Sequence, residues 1–148
     1  MPAVSFETTL LVRDTCLCLH AQRAARALAR RFDDAFRPVG LTSGQFSLLM
    51  SLNRPAPAGM ASVAKLLAMD RTTLTAALKP LERRGLVKSV PDPEDRRARL
   101  LALTPAGSQL LARAAPIWSA VHREIEHQLD RRDLAGFRVD LQNLCTGP

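Results

Sequence analysis

Hydroxyl and basic side chains crowd a short segment, residues 71–84, whose spacing is helical. Threonine hydroxyls can hydrogen-bond base edges or phosphate oxygens, threonine methyls can contact thymine methyls, and Lys and Arg suit guanine or phosphate oxygens. At 100° per residue, Leu74, Leu78 and Leu81 fall on one side. The opposite side and its flanks carry Thr72, Thr73, Thr75, Ala76, Lys79, Arg83 and Arg84. This pattern predicts a helix that packs by one face and presents a face suited to the DNA major groove.

Pro80 lies inside this predicted helix, where it removes a backbone donor. Because it follows the residues that would meet bases, we expect a kink near Ala76–Pro80 and an undisturbed first half. Taken alone, the segment is more typical of an ordinary amphipathic helix with a solvated outer face. Its neighbours favour the DNA-reading interpretation.

The second candidate group lies in "PDPEDRRAR", residues 91–99, between two short runs rich in strand formers. An arginine on a thin hairpin can enter the narrow minor groove. Asp95, two residues before Arg97, is suited to orient that guanidinium by a charge-assisted bond. The alternative is a solvated charged loop. The basic candidates at the tip are Arg96, Arg97 and Arg99.

Several helices must position these groups. The periodicity predicts a long helix from Asp14 to Phe36, then one capped by Thr42 or Ser43, then a short one over 61–68. Asp70 is a typical N-cap for the segment described first. Two short helices joined by so tight a turn predict a helix-turn-helix, and residues 86–90 and 98–104 predict a two-stranded hairpin.

Helices also follow the hairpin. Thr104 and Pro105 predict the start of a helix that reaches Leu129, and Asp130 is expected to cap a last helix to about Leu144. The apolar stripes of the terminal helices have no evident partner within a chain of 148 residues. We therefore expect two copies to bury these stripes against each other.

Composition narrows the classes of function. The net charge is +7; residues 60–104 carry +4 of it and residues 105–148 are balanced. Such a distribution suits a polyanion. We see no span of apolar residues long enough for a bilayer and no signal peptide, so we expect a cytoplasmic protein without a membrane partner. We find no nucleophile–base motif, phosphate-binding glycine loop or metal spacing, and expect neither enzyme activity nor a cofactor or metal.

The stretches "LTSGQFSLLMSL", "ASVAKLLAMDRTTLTAALKPLERRGLV" and "PDPEDRRARLLALTPAG" resemble the core of the multiple-antibiotic-resistance regulator (MarR) family. The resemblance covers Leu41 to Gly107 and implies a mainly α fold with a small two-stranded β-wing. The length of 148 residues predicts a single domain over 1–148. The resemblance implies a winged helix-turn-helix core over 41–104 and dimerisation helices over 10–38 and 105–146. It further implies a homodimeric repressor of an inverted-repeat operator in double-stranded DNA.

The resemblance places Thr72, Thr73, Thr75 and Ala76 at major-groove positions and Arg97 at the minor-groove position of the wing. The predicted DNA-binding residues are Lys65, Arg71, Thr72, Thr73, Thr75, Ala76, Lys79, Arg83, Asp95, Arg96 and Arg97. Family members often release DNA when a phenolic or lipophilic ligand, or an oxidant, reaches the junction between dimer and DNA-binding regions. Family geometry implies a ligand pocket lined by His20, Phe46, Met50 and Trp118.

An oxidant signal would involve cysteine. Cys18 matches the reactive position of hydroperoxide-sensing relatives, and Cys145 is expected near Cys16 or Cys18 of the partner chain. The tyrosines that hold the thiolate in that branch are missing, and Gln22 and Phe32 stand where hydroxyls are expected. The alternative is that these cysteines are small apolar fillers. For the whole chain, the alternative to a regulator is a protein-interaction module on a winged-helix fold.

Overall fold

A computed structural model describes residues 3–130 and 133–146. The N-terminal part is two helices rather than one: α1 spans Phe6–Thr15 and α2 spans Leu17–Phe36. The long helix predicted from about Asp14 to Phe36 corresponds to α2, which starts three residues later, whereas the separate helix α1 was not predicted. Extended backbone at Cys16 (ψ 107°) separates the two helices, and its sulfur accepts a hydrogen bond from the Leu19 amide at 3.4 Å, as an N-cap does.

The helix-turn-helix follows the predicted order. Helix α3 (Ser43–Ser51) begins with a capping box between Thr42 and Gln45. Helix α4 (Met60–Leu67) ends at Ala68 in the left-handed region, and α5 spans Arg71–Arg83 as one continuous helix through Pro80. Asp70 caps α5, because its Oδ1 accepts a bond from the Thr73 amide at 2.7 Å.

The sheet has three strands, so the predicted two-stranded wing is one strand short. Strand β1 (Ala58–Gly59) pairs antiparallel with β3 (Arg99–Leu103), which pairs with β2 (Val87–Pro91) in the order β1-β3-β2. The third strand holds two residues in a segment rich in proline, and only its pairing with Leu100 and Leu101 defines it.

Helix α6 spans Pro105–Leu129 with Thr104 as its N-cap, as predicted. Asp130 does not cap the last helix: its φ of 46° ends α6, and Asp133 caps α7, which spans Leu134–Cys145. Helices α2, α3 and α6 pack on one another, and the core continues into the helix-turn-helix. None of the described helices has the length and apolar composition needed to cross a membrane.

Candidate nucleic-acid interface

Helix α5 has one buried and one exposed face. Leu74, Leu78 and Leu81 are at most 4% exposed and join the core, which fixes the rotation of the helix. The outward positions are all exposed: Arg71, Thr72, Thr73, Thr75, Ala76, Lys79 and Arg83. Lys65 of α4 is exposed as well. The core therefore holds the helix so that its hydroxyl and basic residues face outward.

The three threonine hydroxyls of α5 differ in what they can still bind. Thr75 Oγ1 donates to the Arg71 carbonyl at 2.8 Å, so its remaining capacity is that of an acceptor, together with its methyl group. Thr73 bonds the Asp70 carboxylate with its amide and its side chain. Within the described part of the chain, the Thr72 hydroxyl has no protein partner. Thr72 is therefore the hydroxyl with full capacity to donate to a ligand.

The Asp70 cap predicts a pH-dependent stability. The bonds from Thr73 hold the pKa of this carboxyl below its ordinary 3.8. A lowered folded-state pKa means that the ionised cap stabilises the fold fully above about pH 5, and that this stabilisation is lost as pH falls through the lowered pKa. Asp70→Asn keeps a cap that does not titrate. We expect equal thermal melting temperatures for wild type and Asp70→Asn at pH 7 and a smaller acid-induced drop for the variant between pH 4 and pH 2. Asp70→Ala, which has no cap, is expected to melt lower at pH 7. If the melting temperatures of wild type and Asp70→Asn fall by the same amount between pH 4 and pH 2, the prediction is contradicted.

The wing tip is built by backbone and aspartate bonds. Asp95 Oδ1 accepts a bond from the Arg97 amide at 3.0 Å, and the Asp95 carbonyl accepts one from the Ala98 amide. The bond that the structure shows for this carboxylate is thus to the Arg97 backbone, not to its guanidinium as predicted. The reason is the spacing: an aspartate two residues before an amide closes a local turn. Arg96 and Arg97 are both exposed.

A cleft of about 280 Å³ separates α5 from the wing, and it is strongly basic. Its charged lining consists of Arg71, Lys79, Glu82, Arg97 and Arg99. Arg99 Nε donates to Ser89 Oγ at 3.0 Å across the hairpin. Ser89 was missed in the sequence, because only the strand register brings it near Arg99. Four cations and one acid along a groove give it the charge that a phosphate backbone requires.

Three of the four residues predicted to line a ligand pocket lie around one cavity. Phe46, Met50 and Trp118 line one cavity of about 580 Å³, between α3, α4 and α6. His20 lies elsewhere, in a cleft along α2 with Arg23, Arg26 and Arg30, and its Nδ1 is 2.9 Å from the Cys16 carbonyl oxygen. The histidine beside the cavity is His122, whose ring stacks on Trp118 with centroids 4.7 Å apart. Because His122 follows Trp118 by four residues, about one helical turn, the sequence could have indicated this contact.

The three cysteines are separate free thiols. Cys18 and Cys145 are exposed, and Cys16 is half-buried at the start of α2. Gln22 Nε2 donates to the Cys18 sulfur at 3.1 Å, so the amide that replaces an expected hydroxyl does contact this thiol. Among the described residues, none of the three forms a disulfide within one chain.

Comparisons with known proteins agree on the kind of protein. Residues 41–98 match the model of the MarR family. The transcriptional activatory protein BadR of Rhodopseudomonas palustris is 38% identical over 57% of this chain and 50% of its own length. The transcriptional repressor NicR of Pseudomonas putida is 38% identical over 51% and 48%. The chain thus spans about half the length of these curated relatives. The M. tuberculosis transcriptional regulator MosR, solved in complex with DNA, is 35% identical over 88% of this chain and 94% of its own, with a TM-score of 0.79.

Proposed function

Because the chain belongs to the MarR family, we propose that it is a homodimeric transcription regulator that binds an inverted repeat in double-stranded DNA. The observation that carries this proposal is the exposed face of α5 beside the basic cleft at the wing. In this proposal, α5 enters the major groove and Arg97 reaches the adjoining minor groove. Lys65, Arg71, Lys79, Arg83 and Arg96 supply charge to the phosphates.

The exposed apolar side chains support the homodimer. Phe6, Leu17 and Leu144 are 74%, 73% and 65% exposed, although each lies on a terminal helix. Further members of this set on α1, α2 and α7 are Leu11, Val12, Leu28, Val139 and Leu141. A second copy that packs against these helices would remove this apolar surface from water. Dimerisation then sets the spacing of two recognition helices.

DNA selection tests the proposed function directly. Wild-type protein is offered a library of random duplexes, and the enriched sequence, called the selected duplex below, is measured by fluorescence anisotropy. We expect an inverted repeat with half-sites about one helical turn apart, bound by two chains. Affinity is expected to fall about 10³-fold or more between 50 and 200 mM salt. Failure to enrich any sequence would instead favour the protein-interaction module.

The cavity beside Trp118 supports a ligand that controls this binding. Met50, Leu66 and Trp118 are among the exposed apolar residues and all line it, so a bound ring would cover them. The described lining contains no charged side chain. Ser51 donates to the Leu48 carbonyl, which leaves the Ser47 and Ser119 hydroxyls to bind a polar substituent. A carboxylate would lose its hydration there without a cation to replace it. We therefore propose a neutral phenolic effector.

A pair of matched ligands tests the effector class. Trp118 is the single tryptophan, so its fluorescence reports binding in the cavity. We expect phenol to change this fluorescence and to weaken binding of the selected duplex at concentrations about tenfold lower than benzoate, because only benzoate carries a charge into the cavity. Met50→Glu is expected to abolish the effect of phenol while leaving DNA binding in its absence intact. Equal potency of phenol and benzoate contradicts the proposed class.

A further inference from the structure

The C-terminal end of the recognition helix α5 is bonded to the segment that leaves α2. Arg84, the C-cap of α5, donates from Nη1 to the Gly40 carbonyl at 2.8 Å, across 44 residues of sequence. A methyl group at Gly40 would lie 3.5 Å from the other terminal nitrogen of Arg84, so the guanidinium rests against this glycine. The charge of Arg84 is therefore directed to a backbone carbonyl, away from the face that carries Thr72 and Ala76.

Gly40 belongs to a short linker that is itself held in place. The linker turns at Gly40, whose φ of 66° suits glycine, and the Gly40 amide donates to the Arg37 carbonyl at 3.0 Å. On its far side, Asp33 of α2 accepts a bond from the Ser43 amide at 2.6 Å. The Arg84 bond thus attaches α5 to a rigid corner of α2, not to a flexible loop.

The same end of α5 is bonded to α6. Thr104, the N-cap of α6, donates from Oγ1 to the Gly85 carbonyl at 2.6 Å, and its amide donates to the Leu86 carbonyl at 3.1 Å. Gly107 packs so closely that a Cβ there would lie 2.1 Å from the Leu86 carbonyl oxygen. One end of the recognition helix is therefore held between α2 and α6.

We infer that Arg84 is a positioning residue, which sets the angle of the recognition helix relative to α2 and hence the distance between the two recognition helices of a dimer. This inference rests on the proposed function. A charge-assisted bond to a carbonyl is directional, so it resists rocking of α5 about the Gly85 turn. Arg84 then contributes to the discrimination of half-site spacing, and it makes no phosphate contact.

Its neighbour Arg83 provides a matched control, since both are exposed arginines at the end of α5. The probes are the selected duplex and two derivatives with one or two base pairs inserted at its centre. For wild type, each insertion is expected to weaken binding by about tenfold or more, because it separates and rotates the half-sites. For Arg84→Ala, each insertion is expected to weaken binding by only about threefold or less. The slope of its log affinity against log salt concentration is expected to equal that of wild type. Arg83→Ala is expected to keep the wild-type ratio between its affinities for the selected duplex and for the lengthened duplexes. It is expected to lower the slope of log affinity against log salt concentration by about 1.

Arg84→Gln is the second variant, because its shorter side chain keeps bulk at the helix end without reaching Gly40. It is expected to give the same reduced ratio as Arg84→Ala. If a folded Arg84 variant keeps the wild-type ratio of affinities between the selected and lengthened duplexes, the inference is overturned. An equal loss of affinity for all three duplexes, together with a weaker salt dependence, also overturns it, because that result would identify a phosphate contact. If wild type itself enriches no duplex, the proposed function fails before the role of Arg84 is reached.

Discussion

Replacing Ala76 by glutamate is expected to lower affinity for the selected duplex by at least about 100-fold. Ala76 is exposed in the middle of the outward face of α5, between Thr72 and Lys79. A carboxylate there would face phosphates and the acceptor edges of bases, and such like-charge contacts cost several kcal/mol. The longer side chain would also prevent the close approach that alanine permits. Fluorescence anisotropy at a fixed salt concentration measures the loss.

The fold is expected to survive this substitution, because the site is exposed and glutamate is a good helix former. Ala112→Glu is the matched control: it makes the same change at an exposed position of α6, outside the recognition helix and the wing. It is expected to change affinity by less than about threefold, since Ala112 is not among the residues proposed to contact DNA and salt screens distant charges. If Ala76→Glu binds as tightly as Ala112→Glu, α5 does not enter the groove.

Arg97→Ala is expected to weaken binding by about 10-fold to 100-fold, within the range for loss of a specific arginine contact to DNA. The side chain is exposed on the wing and lines the basic cleft beside α5. Its amide, not its guanidinium, holds the turn through Asp95, so the alanine variant keeps the wing bond. Melting temperature and dimer mass are therefore expected to stay at the wild-type values.

Arg113→Ala controls for the loss of a positive charge, because Arg113 is exposed on α6 and is not among the residues proposed to contact DNA. It is expected to change affinity by less than about threefold at physiological salt, where distant charges are screened. An Arg97→Ala protein that binds the selected duplex like wild type would exclude the wing from the interface.

The helix-turn-helix could be predicted because its signals are local. Thr42, Asp70 and Thr104 each accept a bond from an amide three residues later, and such caps can be recognised without knowledge of the fold. The apolar row Leu74, Leu78 and Leu81 likewise follows from helical spacing alone. These features fixed the order of the elements and the exposed face of α5.

Features that depend on distant partners could not be predicted. Strand β1 exists only through its pairing with Leu100 and Leu101. The Arg84–Gly40 bond joins residues 44 positions apart, and the sequence indicated instead that Arg84 supplied charge to DNA. His20 was placed in the cavity from family geometry, yet it lies along α2 while His122 stacks on Trp118. Each of these features depends on packing between elements, which the periodicity of a single sequence does not report.

A local signal was also misread at two helix ends. Asp130 and Asp133 are both typical cap residues, but the positive φ of Asp130 makes it the end of α6 and leaves the cap of α7 to Asp133. The helix predicted from about Asp14 likewise included Cys16, where the backbone is extended, although its apolar stripe begins only at Leu17. Periodicity describes which faces are apolar, and it does not show where a helix is interrupted.

Hydroxyl-radical footprinting of the wild-type protein on the selected duplex tests the DNA-binding proposal most directly. We predict two protected blocks per strand, with centres about one helical turn apart and related by two-fold symmetry. The same experiment with Ala76→Glu is predicted to show no protection at equal protein concentration, while Ala112→Glu protects like wild type. Absence of protection with the wild-type protein, or protection unchanged by Ala76→Glu, would contradict DNA recognition by α5.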